Sequence, residues 1–102
     1  MSHSVFAIYK APEDPAAFDK AYENHAAIAG KIPGLKELRV NKTLQQVTGE
    51  TPLYVVTELV FDSLEDLQAG LGSPEGQATS ADLPTWGGDK LITTLITARQ
   101  DG

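Results

Sequence analysis

The sequence of 102 residues predicts a single domain of the α+β class, and three observations lead to that prediction. Its length fits one hydrophobic core, because a domain commonly takes about 100–200 residues. Its hydrophobic and charged fractions, 41% and 22%, are those of an ordinary globular protein. Its periodic segments follow the order strand, helix, strand, strand, helix, strand, which is the ferredoxin-like arrangement of a four-stranded antiparallel sheet with its helices on one face.

The composition argues against several classes of function. Eight Lys and Arg residues against fourteen Asp and Glu residues give a formal charge of −6, the wrong sign for binding nucleic acid or an anionic membrane surface. The absence of cysteine excludes disulfides, thiolate metal sites and a cysteine nucleophile, and two histidines argue against a multi-histidine metal site. No apolar run is long enough to span a bilayer, and the N-terminus lacks a basic segment followed by an apolar one, so we expect a cytoplasmic protein.

The first strand and the first helix meet at an acidic, proline-containing turn. Residues 4–10 combine β-branched and aromatic side chains, as strands do. Asp14 can cap a helix that begins at Pro15, a residue that suits the first helical position, and the helix is expected to end near Gly30. Its buried stripe is predicted from spacings of four, three and four residues and consists of Phe18, Tyr22, His25 and Ala29.

The next two strands differ in the polarity of their faces. Residues 35–46 alternate apolar and polar side chains, which predicts a strand with one polar face. After a hairpin loop at residues 47–52, Leu53–Phe61 is apolar at nearly every position, which predicts a strand covered on both faces. We expect one face to carry Leu53, Val55, Thr57, Leu59 and Phe61, and the other to carry Tyr54, Val56, Glu58 and Val60.

The remainder of the chain predicts a second helix, a short helical turn and a last strand. Ser63 can cap a helix that ends at Gly72, and a cap followed by proline then predicts a short helical turn through Asp82. Proline and glycine at residues 84–88 predict a loop. Residues 90–98 are rich in β-branched side chains and predict the last strand, after which the polar C-terminal tail is expected to fray.

The two-sided apolar pattern of the third and fourth strands predicts a homodimer. Two helices can cover only one face of four strands, and an apolar sheet face left open is an association surface. We therefore expect two copies to pack their sheets face to face about a two-fold axis. Glu58 lies on that second face and needs a partner if it is buried. Arg39 could pair with it across the strands, or both charges could be solvated.

Five short motifs stand out from the periodic pattern, namely Tyr9-Lys10-x-Pro12-x-Asp14-Pro15-x-x-Phe18, Tyr22-x-x-His25, Ile32-Pro33-Gly34-Leu35, Glu58-Leu59-x-Phe61-Asp62-Ser63 and Ser73-Pro74-Glu75-Gly76-Gln77. Together they resemble the EthD family, named for ethyl tert-butyl ether degradation, from residue 5 to about residue 95. The resemblance implies one EthD-like domain over residues 1–102 and a dimeric α+β barrel built from two sheets. The family's histidine in the first helix matches His25, whereas the family's proline two residues later is Ala27 here.

The resemblance makes His25 the candidate catalytic residue. An imidazole titrates near neutral pH, so on the buried stripe it could exchange a proton with a ligand above the sheet. A structural role, with the ring satisfied by a backbone carbonyl or by Glu58, is the alternative. The candidate substrate-binding residues offer phenol donors, a carboxylate or an aromatic lid, and they are Tyr9, Tyr22, Tyr54, Glu58 and Trp86. The tyrosines could instead serve only for packing, and Trp86 could be a plug at the sheet edge.

No resident cofactor is expected. The pair Gly87-Gly88 lacks the lysine of a phosphate-binding loop and the fingerprint of a dinucleotide site, so neither flavin nor nicotinamide is predicted. The resemblance makes His25 a candidate axial ligand of haem, but the sequence contains no second haem-binding feature. The sequence therefore predicts protein that purifies without metal, haem or flavin.

Two functions remain open at this stage. The first is a small enzyme without a cofactor, an oxidoreductase, isomerase or dehydratase, that acts on a hydrophobic carbonyl- or phenol-bearing metabolite with His25 as general acid/base. The second is a non-catalytic dimer that binds a small hydrophobic ligand or accompanies a degradation system of the monooxygenase type. A cavity of ligand size that reaches His25 would favour the first function, and a filled core would favour the second.

Overall fold

A computed structural model describes residues 2–100, and its elements follow the predicted order with one additional helix. The strands are β1 (His3–Lys10), β2 (Glu37–Lys42), β3 (Leu53–Phe61) and β4 (Ile92–Ala98). The helices are α1 (Pro15–Ala29), α2 (Leu64–Gly72) and α3 (Pro74–Asp82), and two 3₁₀ turns, Leu83–Trp86 and Gly88–Lys90, connect α3 to β4. The last two residues of the tail lie outside this description, so its fraying stays a prediction.

The four strands form one antiparallel sheet in the order β2-β3-β1-β4, which confirms the predicted ferredoxin-like arrangement. All three helices lie on one face of this sheet, and two clusters of buried side chains join them to it. One cluster packs Leu67 of α2 on Leu59 and Phe61, and the other packs Phe18 of α1 on Tyr9. The alternation predicted for β3 is confirmed at Val55, Thr57, Leu59 and Phe61, which are all buried on the helix side.

Strand β2 is shorter than the predicted strand over residues 35–46. The side chain of Gln46 organises the loop that follows, because its amide nitrogen donates to the carbonyls of Thr48, Gly49 and Thr51. Its carbonyl oxygen accepts from the backbone N–H of Leu53 at 2.9 Å. Backbone pairing with β3 ends at the bond from the Thr43 N–H to the Tyr54 carbonyl at 2.9 Å, and the Gln46 bonds hold the chain after it. The hairpin loop therefore starts earlier than the alternation of the sequence indicates.

The segment between Ser73 and β4 is more helical than predicted. Instead of a short turn, α3 is a helix of nine residues, and the Ser73 hydroxyl caps it by accepting from the backbone N–H of Gly76 at 3.0 Å. The predicted loop at residues 84–88 consists mainly of the two 3₁₀ turns. Because the second turn extends to Lys90, β4 begins at Ile92 rather than at residue 90.

Helices α2 and α3 meet at a point where only glycine fits. A Cβ added at Gly76 would overlap the carbonyl oxygens of Gly70 and Leu71, which belong to the backbone and cannot rotate away. This contact sets the position of α3, and α3 carries Asp82 at its last turn. The glycine therefore helps to decide where that carboxylate lies.

We expect Gly76→Ala to lower the free energy of unfolding by about 1–3 kcal/mol, the usual cost of overpacking a tight contact. Gly72→Ala is the matched control, because a Cβ at Gly72 meets nothing within 4 Å and alanine favours the helix. The control should leave stability unchanged or raise it slightly. Unfolding in denaturant measures both variants, and equal losses of stability would contradict the packing argument.

Candidate functional site

A cavity of about 170 Å³ lies between the sheet and the helix layer. All four strands, all three helices and the segments that adjoin them contribute to its wall. One part of the wall is aliphatic and consists of Val5, Ala29, Ile32, Leu38, Leu59 and Leu71. Another part carries polar atoms and includes Tyr9, Tyr22, His25 and Thr57, and the hydroxyl-bearing residues Thr79, Ser80 and Thr94 also line the cavity. The cavity thus has an apolar end and a polar end.

His25 stands at the polar end and is held by Asp82. The imidazole Nδ1 lies 2.9 Å from Oδ2 of Asp82, and the His25 residue is only 5% exposed. A carboxylate can only accept, so Nδ1 carries the hydrogen and Nε2 is left as an acceptor. Within residues 2–100 no hydrogen bond to Nε2 is formed, and His25 lines the cavity. Nε2 can therefore accept a hydrogen bond or a proton from a ligand in the cavity.

Trp86 completes this arrangement from behind the cavity wall. Its indole Nε1 donates to the same Oδ2 of Asp82 at 3.0 Å. Its ring meets that of His25 edge to face at 5.6 Å and stacks on Tyr9 at 6.1 Å between centroids. Trp86 is half-buried and is not among the cavity-lining side chains. Its contacts fit a support for the histidine and its carboxylate better than a lid.

Two buried tyrosines share the polar end with His25. The hydroxyl of Tyr22 is hydrogen-bonded to the hydroxyl of Thr57, and the Tyr9 ring meets the Tyr22 ring edge to face at 5.3 Å. Burial raises the pKa of Tyr9 well above its ordinary value, and electrostatic repulsion by Tyr22, when that phenol ionises, and by the Asp82 carboxylate raises it further. Burial also raises the pKa of Tyr22, against the opposing effect of the hydrogen bond from Thr57. Both phenols are therefore neutral at physiological pH.

Tyr54 lies at the edge of this site rather than on the opposite face of the sheet, where the alternation had placed it. The register between β1 and β3 shifts so that Tyr9 pairs with Val55 and Lys10 with Leu53, which leaves Tyr54 in a bulge. Its ring packs edge to face on Phe18 at 5.3 Å, and its hydroxyl donates to Asp19 at 2.9 Å.

Asp19 anchors this edge of the site electrostatically. Lys42 donates to its other carboxylate oxygen at 2.8 Å, and the hydrogen bonds from Lys42 and then from Tyr54 hold the pKa of Asp19 below its ordinary value. The Tyr54 hydroxyl is therefore engaged with α1 and does not line the cavity.

Glu58 belongs to the other face of the sheet and takes no part in the site. It accepts from the Ser4 hydroxyl at 2.7 Å and from Arg39, directly opposite on β2, at 3.3 Å. The cross-strand pair considered from the sequence is thus present. The alternative in which Glu58 satisfies His25 is wrong, because the sheet separates the two side chains and Asp82 takes that role.

Asp82 and Thr57 were not predicted as site residues. Asp82 lies 57 positions from His25 in the chain, and the sequence marks it only as the end of a helical turn. The one local signal is the presence of Trp86 four positions later, the spacing at which side chains on a helical segment can meet. Thr57 is a polar residue in the middle of an apolar strand and is only 2% exposed, which identifies it as a polar group that needs a partner.

The part of the chain from residue 2 to residue 100 offers no cluster of three or more His, Asp or Glu side chains that could hold a metal ion. None of the helices described there combines the length and the apolar character needed to cross a bilayer.

Comparisons with known proteins agree with the fold and define the family. A family model described as the EthD domain matches residues 10–87. A crystal structure of an EthD-family protein from Bacillus halodurans C-125 is 35% identical and has a TM-score of 0.90, covering 98% of this chain and 100% of that chain. An uncharacterized 11.0 kDa protein in the thcB-thcC intergenic region of Rhodococcus erythropolis is 32% identical in an alignment of 96 residues that covers 90% of this chain and 92% of the relative.

Two more distant solved structures share the fold. A dimeric ferredoxin-like protein of unknown function from Jannaschia sp. CCS1 has a TM-score of 0.73 at 20% identity, covering 97% of this chain and 100% of that chain. SnoaB, a cofactor-independent oxygenase from Streptomyces nogalater, has a TM-score of 0.61 at 17% identity, covering 98% and 95%. The family model matches residues 10–87, and two relatives that cover at least 90% of the chain are 35% and 32% identical to it. The chain therefore belongs to the EthD family.

Proposed function

We propose that this protein binds a hydrophobic carbonyl- or phenol-bearing metabolite in its cavity and moves a proton with His25 as general acid/base. The observation that carries the proposal is the Asp82–His25 pair at the polar end of an otherwise apolar cavity. A structural histidine needs no such space in front of it. A cavity of ligand size that reaches the imidazole is what the catalytic alternative requires.

Each group has a definite task in this chemistry. The Asp82 carboxylate holds the imidazole in the tautomer that leaves Nε2 basic, and it stabilises the charge that forms when Nε2 takes a proton. The neutral Tyr9 phenol donates a hydrogen bond to the oxygen of the ligand and disperses the charge that develops there. The aliphatic wall keeps water away from the reacting atoms, which strengthens both interactions.

Proton abstraction from a phenol, an enol or a carbon next to a carbonyl is the common first step of isomerisation, dehydration and cofactor-free oxygenation. SnoaB, which shares this fold, is described as a cofactor-independent oxygenase. This likeness supports a reaction without a resident cofactor in oxidative or catabolic metabolism. The two proteins are alike in fold only, and the support for proton transfer in this chain comes from its own Asp82–His25 pair and cavity.

A non-catalytic ligand-binding role, alone or beside a degradation system of the monooxygenase type, is the second candidate. It is favoured by the dense packing of His25, whose ring contacts Tyr22 at 6.0 Å and Trp86 at 5.6 Å between centroids. In that case the imidazole serves to hold α1 against α3. The two candidates differ in what is lost when His25 is replaced.

We further propose that the functional unit is a homodimer joined through the sheet face that bears no helix. The pairing of β1 with β3 and with β4 places five apolar residues on this face, namely Phe6, Ile8, Val56, Val60 and Leu95. Leu95 is 47% exposed, and the other four are only half-buried in the single chain. Glu58 already has Ser4 and Arg39 as partners, so its carboxylate can be covered without being left unpaired. A similar fold described as dimeric supports this assembly.

His25→Ala should abolish proton transfer while leaving the protein folded. The assay is the exchange of carbon-bound hydrogen for solvent deuterium in phenols, cyclic enols and ketones that raise the melting temperature of the wild type, and we expect a loss of at least about 100-fold. His3→Ala, which changes the other histidine, is the matched control and should retain exchange. If His25→Ala instead melts far lower and still binds those ligands with unchanged affinity, the histidine is structural and the second candidate holds.

The buried tyrosines predict a loss of stability in alkali. Because the folded-state pKa values of Tyr9 and Tyr22 lie above the ordinary value of 10.0, the unfolded chain releases these protons first. The contribution of the two tyrosines to the free energy of unfolding is therefore fully present below about pH 10. Above that pH the contribution is lost, and the free energy of unfolding falls. Tyr9→Phe should make this fall shallower. Denaturant unfolding over a series of pH values measures it, and an identical slope in wild type and variant would contradict the assignment.

Light scattering should give a particle of twice the chain mass of 10.9 kDa at micromolar concentration. Val56→Arg places a charge on the open sheet face and should yield a folded monomer. Val40→Arg is the control, because Val40 lies on the helix side of the edge strand and is already 46% exposed. A stable monomer of the wild type would overturn the dimer.

A further inference from the structure

We infer that the cavity takes a neutral, single-ring compound with a free hydroxyl, a phenol or a cyclic enol. This inference rests on the proposed function and narrows its substrate class. Its first support is size. The cavity measures about 170 Å³, and an engineered protein cavity of about 150 Å³ with aliphatic and aromatic walls accommodates benzene. One ring with a short alkyl substituent therefore matches such a space, and each ring fused to it needs more room.

The second support is the division of the cavity wall. His25, Tyr9 and the Tyr22–Thr57 pair form the polar end, and the Tyr9 ring stacks on Trp86, whose indole donates to the Asp82 carboxylate that holds His25. The rest of the wall is mostly aliphatic and includes Leu59 and Leu71, and the hydroxyl-bearing residues Thr79, Ser80 and Thr94 interrupt it. A ligand that suits this wall has one polar end and one apolar end.

The third support is the direction of the hydrogen bonds. Nε2 of His25 accepts, because Nδ1 donates to Asp82. The Tyr9 hydroxyl forms no hydrogen bond within residues 2–100 and is free to donate. A ligand hydroxyl satisfies both groups, since it donates to Nε2 and accepts from Tyr9. A carbonyl oxygen only accepts and leaves Nε2 without a partner, which costs binding free energy.

The fourth support is the charge of the site. No Lys or Arg side chain is among the residues that line the cavity. The charged group behind the wall is the Asp82 carboxylate, which is itself negative. While the imidazole is neutral, an anionic ligand would be buried without a counter-ion and against a like charge, so a carboxylate or phosphate on the compound is disfavoured.

The test compares five probes: 4-ethylphenol, ethylbenzene, 4-ethylbenzoate, 1-naphthol and the tricyclic anthrone. The chain has one tryptophan, Trp86, whose contacts with Tyr9 and Asp82 make its fluorescence a reporter of the site. We expect 4-ethylphenol to bind at least about tenfold more tightly than each of the other probes. We also expect it to shift the nitrogen resonance of Nε2 of His25.

Two variants separate the hydroxyl argument from the size argument. Tyr9→Phe should weaken the binding of 4-ethylphenol and leave the binding of ethylbenzene unchanged. Leu71→Ala enlarges the apolar end of the cavity and should increase the affinity for 1-naphthol relative to that for 4-ethylphenol. Leu44→Ala is the matched control for the second variant, because Leu44 is 99% exposed in the hairpin loop. Melting curves establish that each variant is folded before binding is measured.

Each outcome decides between the inference and the proposed function. If 1-naphthol or anthrone binds the wild type as tightly as 4-ethylphenol and shifts Nε2 equally, the size limit is wrong and the function of His25 stands. If ethylbenzene or 4-ethylbenzoate matches 4-ethylphenol, the selection for a neutral hydroxyl is wrong. If 4-ethylphenol does not bind, the inference is overturned, and exchange of deuterium that depends on His25 with another compound would still support the proposed function.

Discussion

The Asp82 carboxylate joins parts of the helix layer that are far apart in the chain. It accepts from His25 on α1 and from the indole of Trp86 in the turn after α3, so one oxygen ties both segments together. The same bonds determine the tautomer of the imidazole. Because His25 also lines the cavity, the packing of the helices and the chemistry of the site depend on the same interaction.

The tight contact between α2 and α3 supports this interaction from a distance. Gly76 allows α3 to approach the backbone of α2, and the Ser73 cap begins α3 at the position from which its last residue is Asp82. A larger residue at Gly76 would move the helix and with it the carboxylate. The catalytic geometry that we propose is thus carried by regular elements, which hold a side chain more accurately than a free loop does.

The two faces of the sheet serve different purposes. The helix-side face encloses the cavity and places Thr57 and the tyrosines around it, whereas the other face carries an apolar surface with a charged pair of its own, Arg39 and Glu58. Strand geometry enforces this separation, because neighbouring residues point to opposite sides. A change on the face that we propose for the dimer can therefore alter assembly without touching the cavity wall.

Local periodicity in the sequence was sufficient for the order of the strands and helices, for the buried stripe with Tyr22 and His25, and for the faces of β3, because these depend on residues close in the chain. The motifs also identified the family. Tertiary structure decided the rest. Asp82 reaches His25 only after α3 has packed on α2, the bulge turns Tyr54 toward α1, and Gln46 shortens β2. No pattern of neighbouring residues encodes such contacts, since each depends on how close the folded chain brings distant segments.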